Sequence, residues 1–211
     1  MARSTLARRI VLVIRNPIHL IALLLYRAAM GKVAEKIRFK AELLRPATPK
    51  GASWGFLVLP ATASAKLPTR SMTTVAGTLE GESFQATLEP DGHGSHWLKV
   101  SRALRDRAGV AVGDTVTLEV MPVAEEPEPR VPPDLRKALT ASPAALAQWS
   151  DITPVARRDW IHWITSGKQA ETRVRRIANA CGMLASGKRR ACCFDRSGIY
   201  SKDFSAPTPA E

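Results

Sequence analysis

Cysteine is scarce in this chain. Its 211 residues hold three, Cys181, Cys192 and Cys193, and two of these are adjacent. An odd count with an adjacent pair is a poor disulfide framework, because neighbouring cysteines bridge each other only with strain. The thiols are read as reduced, which places the protein in the cytoplasm. No Cys-x-x-Cys pair occurs, so a structural zinc site is not expected. A long apolar run is also missing. In residues 1–29, Ile10–Ile14 and Ile18–Tyr26 are separated by Arg15, Asn16 and Pro17. A spanning helix needs about 20 mostly apolar residues, and an arginine near its centre is costly. A good small-residue cleavage site is lacking too, since Arg27 precedes Ala28 and Ala29. Three readings of residues 1–29 stand side by side. Met30 is the true start and the extension is translated upstream sequence; the extension is an interfacial basic helix that brings the chain to an anionic membrane surface; or it is a cleaved export signal.

What the chain does have is positive charge, unevenly spread. The formal net charge is +12 and the pI about 10.3. Residues 1–45 carry ten basic and two acidic side chains, residues 46–123 seven of each, residues 124–150 three and four, and residues 151–211 eleven and six. The middle is neutral and both ends are basic, which suggests an anionic partner or surface for the ends. The hydrophobic fraction of 45% supports a packed core.

The neutral middle, residues 33–123, alternates with period two. Ile37, Phe39, Ala41 and Leu43 share one face, and Trp54, Phe56 and Val58 repeat the pattern. Val75, Gly77 and Leu79 lead into a Glu80-Gly81 turn, and Phe84, Ala86 and Leu88 return as a hairpin. Trp97 to Val100 is another strand, Ser101 caps a helix over Arg102 to Ala108, and Gly113-Asp114 turns into a strand over Val116 to Val120. Short strands with glycine-rich turns predict a small β-barrel. The order helix, glycine, turn, strand over Leu104 to Val120 is similar to the half-motif of AbrB-like double-split barrels.

Residues 124–132 are proline-rich and read as a linker. Helical signals follow over 133–188: Ser142-Pro143 and Thr153-Pro154 are cap-plus-proline starts, and Gly187 is a stop. A small bundle built around Trp149, Trp160 and Trp163 is expected, with Val174, Ile177, Ala178, Cys181 and Leu184 as one apolar stripe of the last helix. Residues 189–211 read as a disordered tail. The fold class is therefore α+β, a barrel followed by helices.

Two groups of residues are candidates for function. Asp91, His93 and His96 lie in a glycine-rich loop and could form an acid–base or metal cluster. A catalytic metal usually needs a third protein ligand, and this region holds no further histidine, so no metal is assigned. The plainer reading of the loop is a hairpin connection. The second group is Arg157, Arg158, Arg173, Arg175, Arg176 and Lys188–Arg190, an anion surface for phosphate, lipid headgroups or nucleic acid. Its plainer reading is a solvated helix face, with Glu171 and Arg175 paired along the helix.

The helical half resembles the YdeI/OmpD-associated, or bacteriocin-protection, family. The resemblance runs through Pro133-Asp134-Leu135, Ser142-Pro143-Ala144, Trp149, Thr153-Pro154, Arg157-Arg158, Trp163-Ile164, Glu171-Thr172-Arg173 and Arg175-Arg176-Ile177 to Gly187-Lys188. The barrel half resembles the domain of unknown function that often precedes it, through Phe39, Trp54-Gly55-Phe56, Leu59-Pro60, Gly77-Thr78, Gly92-His93-Gly94, His96 and Gly113-Asp114. The resemblance implies a bacterial protein linked with tolerance of bacteriocins or cationic antimicrobial peptides. It supplies no catalytic residue and no cofactor. The expected function is non-enzymatic protection through protein or envelope contacts. The alternatives are a nucleic-acid-binding protein and an enzyme using His93 and His96. Localisation is expected to be cytoplasmic, with membrane association through residues 1–29 as the alternative.

Overall fold

The computed structural model describes residues 35–167, 169–191 and 204–210. The expectations for residues 1–29, Cys192 and Cys193 lie outside them. Six antiparallel strands form the first part: β1 Ile37–Glu42, β2 Gly55–Val58, β3 Thr73–Leu79, β4 Glu82–Pro90, β5 His96–Val100 and β6 Thr115–Pro122. Their order is β1-β6-β3-β4-β5-β2. Beyond β1, Leu44 exchanges backbone hydrogen bonds with Phe56 of β2 at 2.7 and 2.9 Å. That bridge brings the two outer strands together, and the sheet becomes a near-closed barrel.

Alternation explains which side chains fill it. Ile37, Phe39 and Leu43, with Val116, Leu118 and Val120, point inward, as do Val75, Leu79, Leu88, Leu98 and Val100. Strand β2 departs from the sequence reading. Leu57 pairs with Leu98 and faces the core with Leu59, while Phe56 lies on the opposite face and is nonetheless buried. A strand covered on both sides loses the alternation that would reveal its inner face. The β3–β4 hairpin turns through Glu80 at φ 47° and Gly81 at φ 90°, the left-handed pair that fits the twist of a two-residue hairpin. Gly77 marks a close approach: a Cβ there would lie 2.0 Å from the Glu119 carbonyl oxygen on β6.

Two short helices brace the barrel, α1 Ala61–Ser64 and α2 Arg102–Ala108. Helix α2 starts at Ser101, whose hydroxyl accepts from the Leu104 amide at 3.2 Å, and ends at Gly109 in the left-handed conformation.

Four helices follow: α3 Pro133–Thr140, α4 Pro143–Asp151, α5 Pro154–Thr165 and α6 Ala170–Ala185. Leu135, Leu139, Ala145, Trp149, Ile152, Ala156, Trp160, Ile164, Ile177, Ala180 and Leu184 make a second core. Trp160 is fully buried and meets Trp163 edge-on, ring centroids 5.9 Å apart. Thr153 caps α5 by accepting from Ala156 at 3.3 Å, whereas Ser142 makes no side-chain cap bond. Pro143 at the first helical position of α4 has no N–H to satisfy. Helix α6 ends at Gly187, where the Gly187 and Lys188 amides reach back to the Leu184 and Met183 carbonyls. Val174 leaves the expected stripe and is 68% exposed, because the buried line runs through Ile177, Ala180 and Leu184 instead. Among the described residues no helix is long and apolar enough to cross a membrane.

Residues 204–210 come from the stretch read as disordered, yet they lie against the barrel. Phe204 is buried, and the segment makes three backbone hydrogen bonds to Asp91, Arg45 and Ala47.

Candidate functional site

The glycine-rich loop joins β4 to β5. Asp91 Oδ1 accepts from the His93 and Ser95 amides, both at 2.8 Å, so this carboxylate oxygen closes the loop on itself. His96 opens β5 and is buried. Its Nε2 lies 3.1 Å from the Ser71 carbonyl oxygen and its Nδ1 2.8 Å from Ser64 Oγ. A carbonyl can only accept, so Nε2 carries the proton and Nδ1 accepts from the serine hydroxyl. Burial pushes the His96 pKa below its ordinary value; the Ser71 carbonyl and the Asp91 charge oppose this, and Arg70 adds to it. Both ring nitrogens are thus occupied in a neutral imidazole. His93 is exposed, and the three residues share a loop without converging on a common point. Among the described residues no group of three or more His, Cys, Asp or Glu is placed to hold a metal ion.

The arginines of the expected anion surface are mostly turned to internal partners. Arg157 donates to the Trp149 carbonyl at 3.0 Å and to Glu128 at 2.8 Å. Arg158 donates to Glu126 at 2.6 Å, to the Met72 carbonyl at 3.0 Å and to Thr74 Oγ1 at 3.3 Å. Arg173 forms a two-pronged pair with Asp134 at 2.6 and 3.0 Å. That hydrogen bond holds the Asp134 carboxyl below its usual range and raises the Arg173 guanidinium. Arg176 donates to the Trp163 carbonyl and to Ser166 Oγ, and sits 5.3 Å from the Trp163 ring. Lys188 is exposed at the end of α6. Arg175 is exposed and forms no ion pair with Glu171. Glu171 stands in the first turn of α6, where the helix dipole favours an acid without a partner.

Sequence reasoning missed the polar seam that these arginines build. Glu126 and Glu128 sit in the proline-rich linker, and the adjacent Arg157 and Arg158 tie that linker to α5. Thr74 on β3 donates to Glu126 at 2.7 Å and meets Thr87 of β4 at 3.1 Å, so the barrel joins the same network. Asp159, 2% exposed, stands 3.5 Å from Arg158 and 2.7 Å from Arg190. Two signals were present. Asp159 falls on the same stripe as Ala156 and Trp160, where an acid needs a cation, and two linker acids spaced by one proline match two neighbouring arginines. Beside this network lies a cleft of ≈ 220 Å³, walled by Met72, Pro122, Val123 and Val155, with Glu126 and Arg158 at its polar end. Glu126 Oε1 takes both bonds, and Oε2 has no partner among the described residues. Two surface depressions on the helices, one at Trp163, Asn179 and Met183 and one at Pro133, Arg136 and Thr140, contain no acid–base pair.

This architecture agrees with the family comparisons. Residues 128–187, from the end of the linker to the glycine stop of α6, match the family described as bacteriocin-protection, YdeI or OmpD-associated. The helical part of the chain carries this family's pattern. Residues 39–120, the barrel, match a domain of unknown function, DUF1905. No curated protein matches the chain. The seam therefore joins the family's helical domain to the uncharacterised barrel that precedes it.

Proposed function

We propose that the protein gives protection against bacteriocins or cationic antimicrobial peptides without chemical turnover, by contact with another protein or an envelope component. The family description supports the first half of this reading. The second half rests on one observation: among the described residues, most of the candidate side chains with chemical potential are already committed to structure. Both His96 nitrogens are bonded, Asp91 closes its loop, and Arg157, Arg158, Arg173 and Arg176 hold carboxylates or carbonyls. The seam cleft of ≈ 220 Å³ falls below the roughly 300–1,000 Å³ of small-molecule sites and fits a single partner side chain. We assign the contact role to it, with Glu126 Oε2 as the acceptor it offers.

The test is survival of a bacteriocin-sensitive bacterial strain that expresses the protein. Wild type is expected to raise survival, and His96→Gln, checked for folding by circular dichroism, is expected to match it. A folded His96→Gln that no longer protects would point to imidazole chemistry and sink the non-enzymatic reading. No gain from wild type would remove the protection role altogether.

A further inference from the structure

We propose that the surface beneath residues 204–210 is a docking groove for an extended peptide led by an aromatic side chain, and that the chain's own segment fills it in cis. The hydrogen bonds show why an extended peptide is the right class. The Ala206 amide donates to the Asp91 carbonyl at 3.1 Å, the Thr208 carbonyl accepts from Ala47 at 2.8 Å, and the Ala210 amide donates to the Arg45 carbonyl at 2.8 Å. These are alternate residues, so one edge of an extended strand makes all three bonds. Pro46 and Pro209 form the accompanying antiparallel bridge. Backbone bonds of this kind do not read sequence, and a segment from elsewhere could make them equally well.

Selectivity comes from the leading residue. Phe204 is 2% exposed, and its ring stacks on His162 of α5, centroids 4.4 Å apart and planes 16° from parallel. Its carbonyl oxygen packs against Gly92, where a Cβ would come within 2.9 Å. Phe204 thus reaches the helical domain through its ring and the β4–β5 loop through its carbonyl, and that loop is held in shape by Asp91. Proline alternates with the bonded residues, at positions 207 and 209. Their missing N–H groups belong to the opposite edge of the segment, where no further strand can then pair. Proline also stiffens the segment in the extended form and lowers the entropy lost on docking. A proline-punctuated strand with an aromatic lead is therefore what the groove holds, and a peptide of the same kind in trans competes with it.

The experiment uses full-length protein and a fluorescein-labelled peptide of residues 203–211. In Phe204→Ala, amide exchange at Ala47 and Ala210 is expected to rise at least about tenfold, while Val120 in the barrel stays protected. The labelled peptide is expected to bind this variant at least about tenfold more tightly than wild type, whose groove is filled. The same peptide with alanine in place of Phe204 is expected to bind weakly. If Phe204→Ala does not fold, Ala206→Pro replaces it, since it removes one amide donor and no core side chain. Equal binding to wild type and variant, binding to neither, or unchanged exchange in the variants overturns the proposal.

Discussion

Burial lowers the His96 pKa, and this fixes the sign of a pH effect on stability. The unfolded chain takes up the proton near the ordinary value of 6.5, and the folded chain does so only at lower pH. The contribution of neutral His96 is therefore complete above that value and declines as pH falls from it toward the folded pKa. The urea midpoint is expected to drop as pH decreases below about 6.5, with a shallower drop in His96→Gln. Asp159 makes the second case. It stands almost fully buried between two guanidinium groups. Asp159→Ala should cost about 3 kcal/mol, because it leaves Arg158 with one carboxylate fewer inside the seam. Chemical denaturation measures this directly, and a loss under about 0.5 kcal/mol would mean that the pair contributes little.

Among the elements, the two cores were legible and the seam between them was not. Period-two alternation revealed β1, β3, β4 and β6, and cap-plus-proline pairs placed the starts of α4 and α5, because these signals are local. The inner face of β2 could not be read, since Phe56 and Leu57 are both buried and neither face is polar. The arginines were legible as a cluster of charge, and their direction was not. Whether Arg158 faces water or Glu126 depends on where the linker runs, and that is a long-range fact. The loop residues Asp91 and His96 were found in sequence, but their bonds to Ser95, Ser64 and Ser71 follow from folding. Two glycines test the element level. Gly77→Ala would drive a methyl into the β6 backbone and is expected to abolish folded soluble protein. Gly182→Ala on α6 meets nothing within 4 Å and is expected to stabilise by about 0.5–1 kcal/mol. Thermal melts of the two variants should move in opposite directions.

For the whole molecule, the linker is the element that decides cooperativity. Glu126 and Glu128 tie it to α5, and Thr74 ties it to the barrel, so the barrel and the helices are expected to unfold in one transition. Arg158→Ala removes the shared partner of Glu126, Met72 and Thr74. It is expected to split the calorimetric peak into two or broaden it, and a single unchanged peak would show that apolar contacts alone couple the two parts. The same internal pairing bears on nucleic acid. With Arg157, Arg158, Arg173 and Arg176 engaged, binding to short DNA or RNA is expected to be weak and nonspecific in a salt series. The barrel has one further property that follows from its closure. Just beyond β1 it is closed onto β2 by the Leu44–Phe56 bridge, and the chain past that bridge pairs with residues 208–210. Lifting that segment away would leave backbone donors and acceptors at an open sheet edge, the kind of surface through which copies stick together. Shelf life at high concentration, followed by light scattering, would then depend on a few residues that lie far from either core.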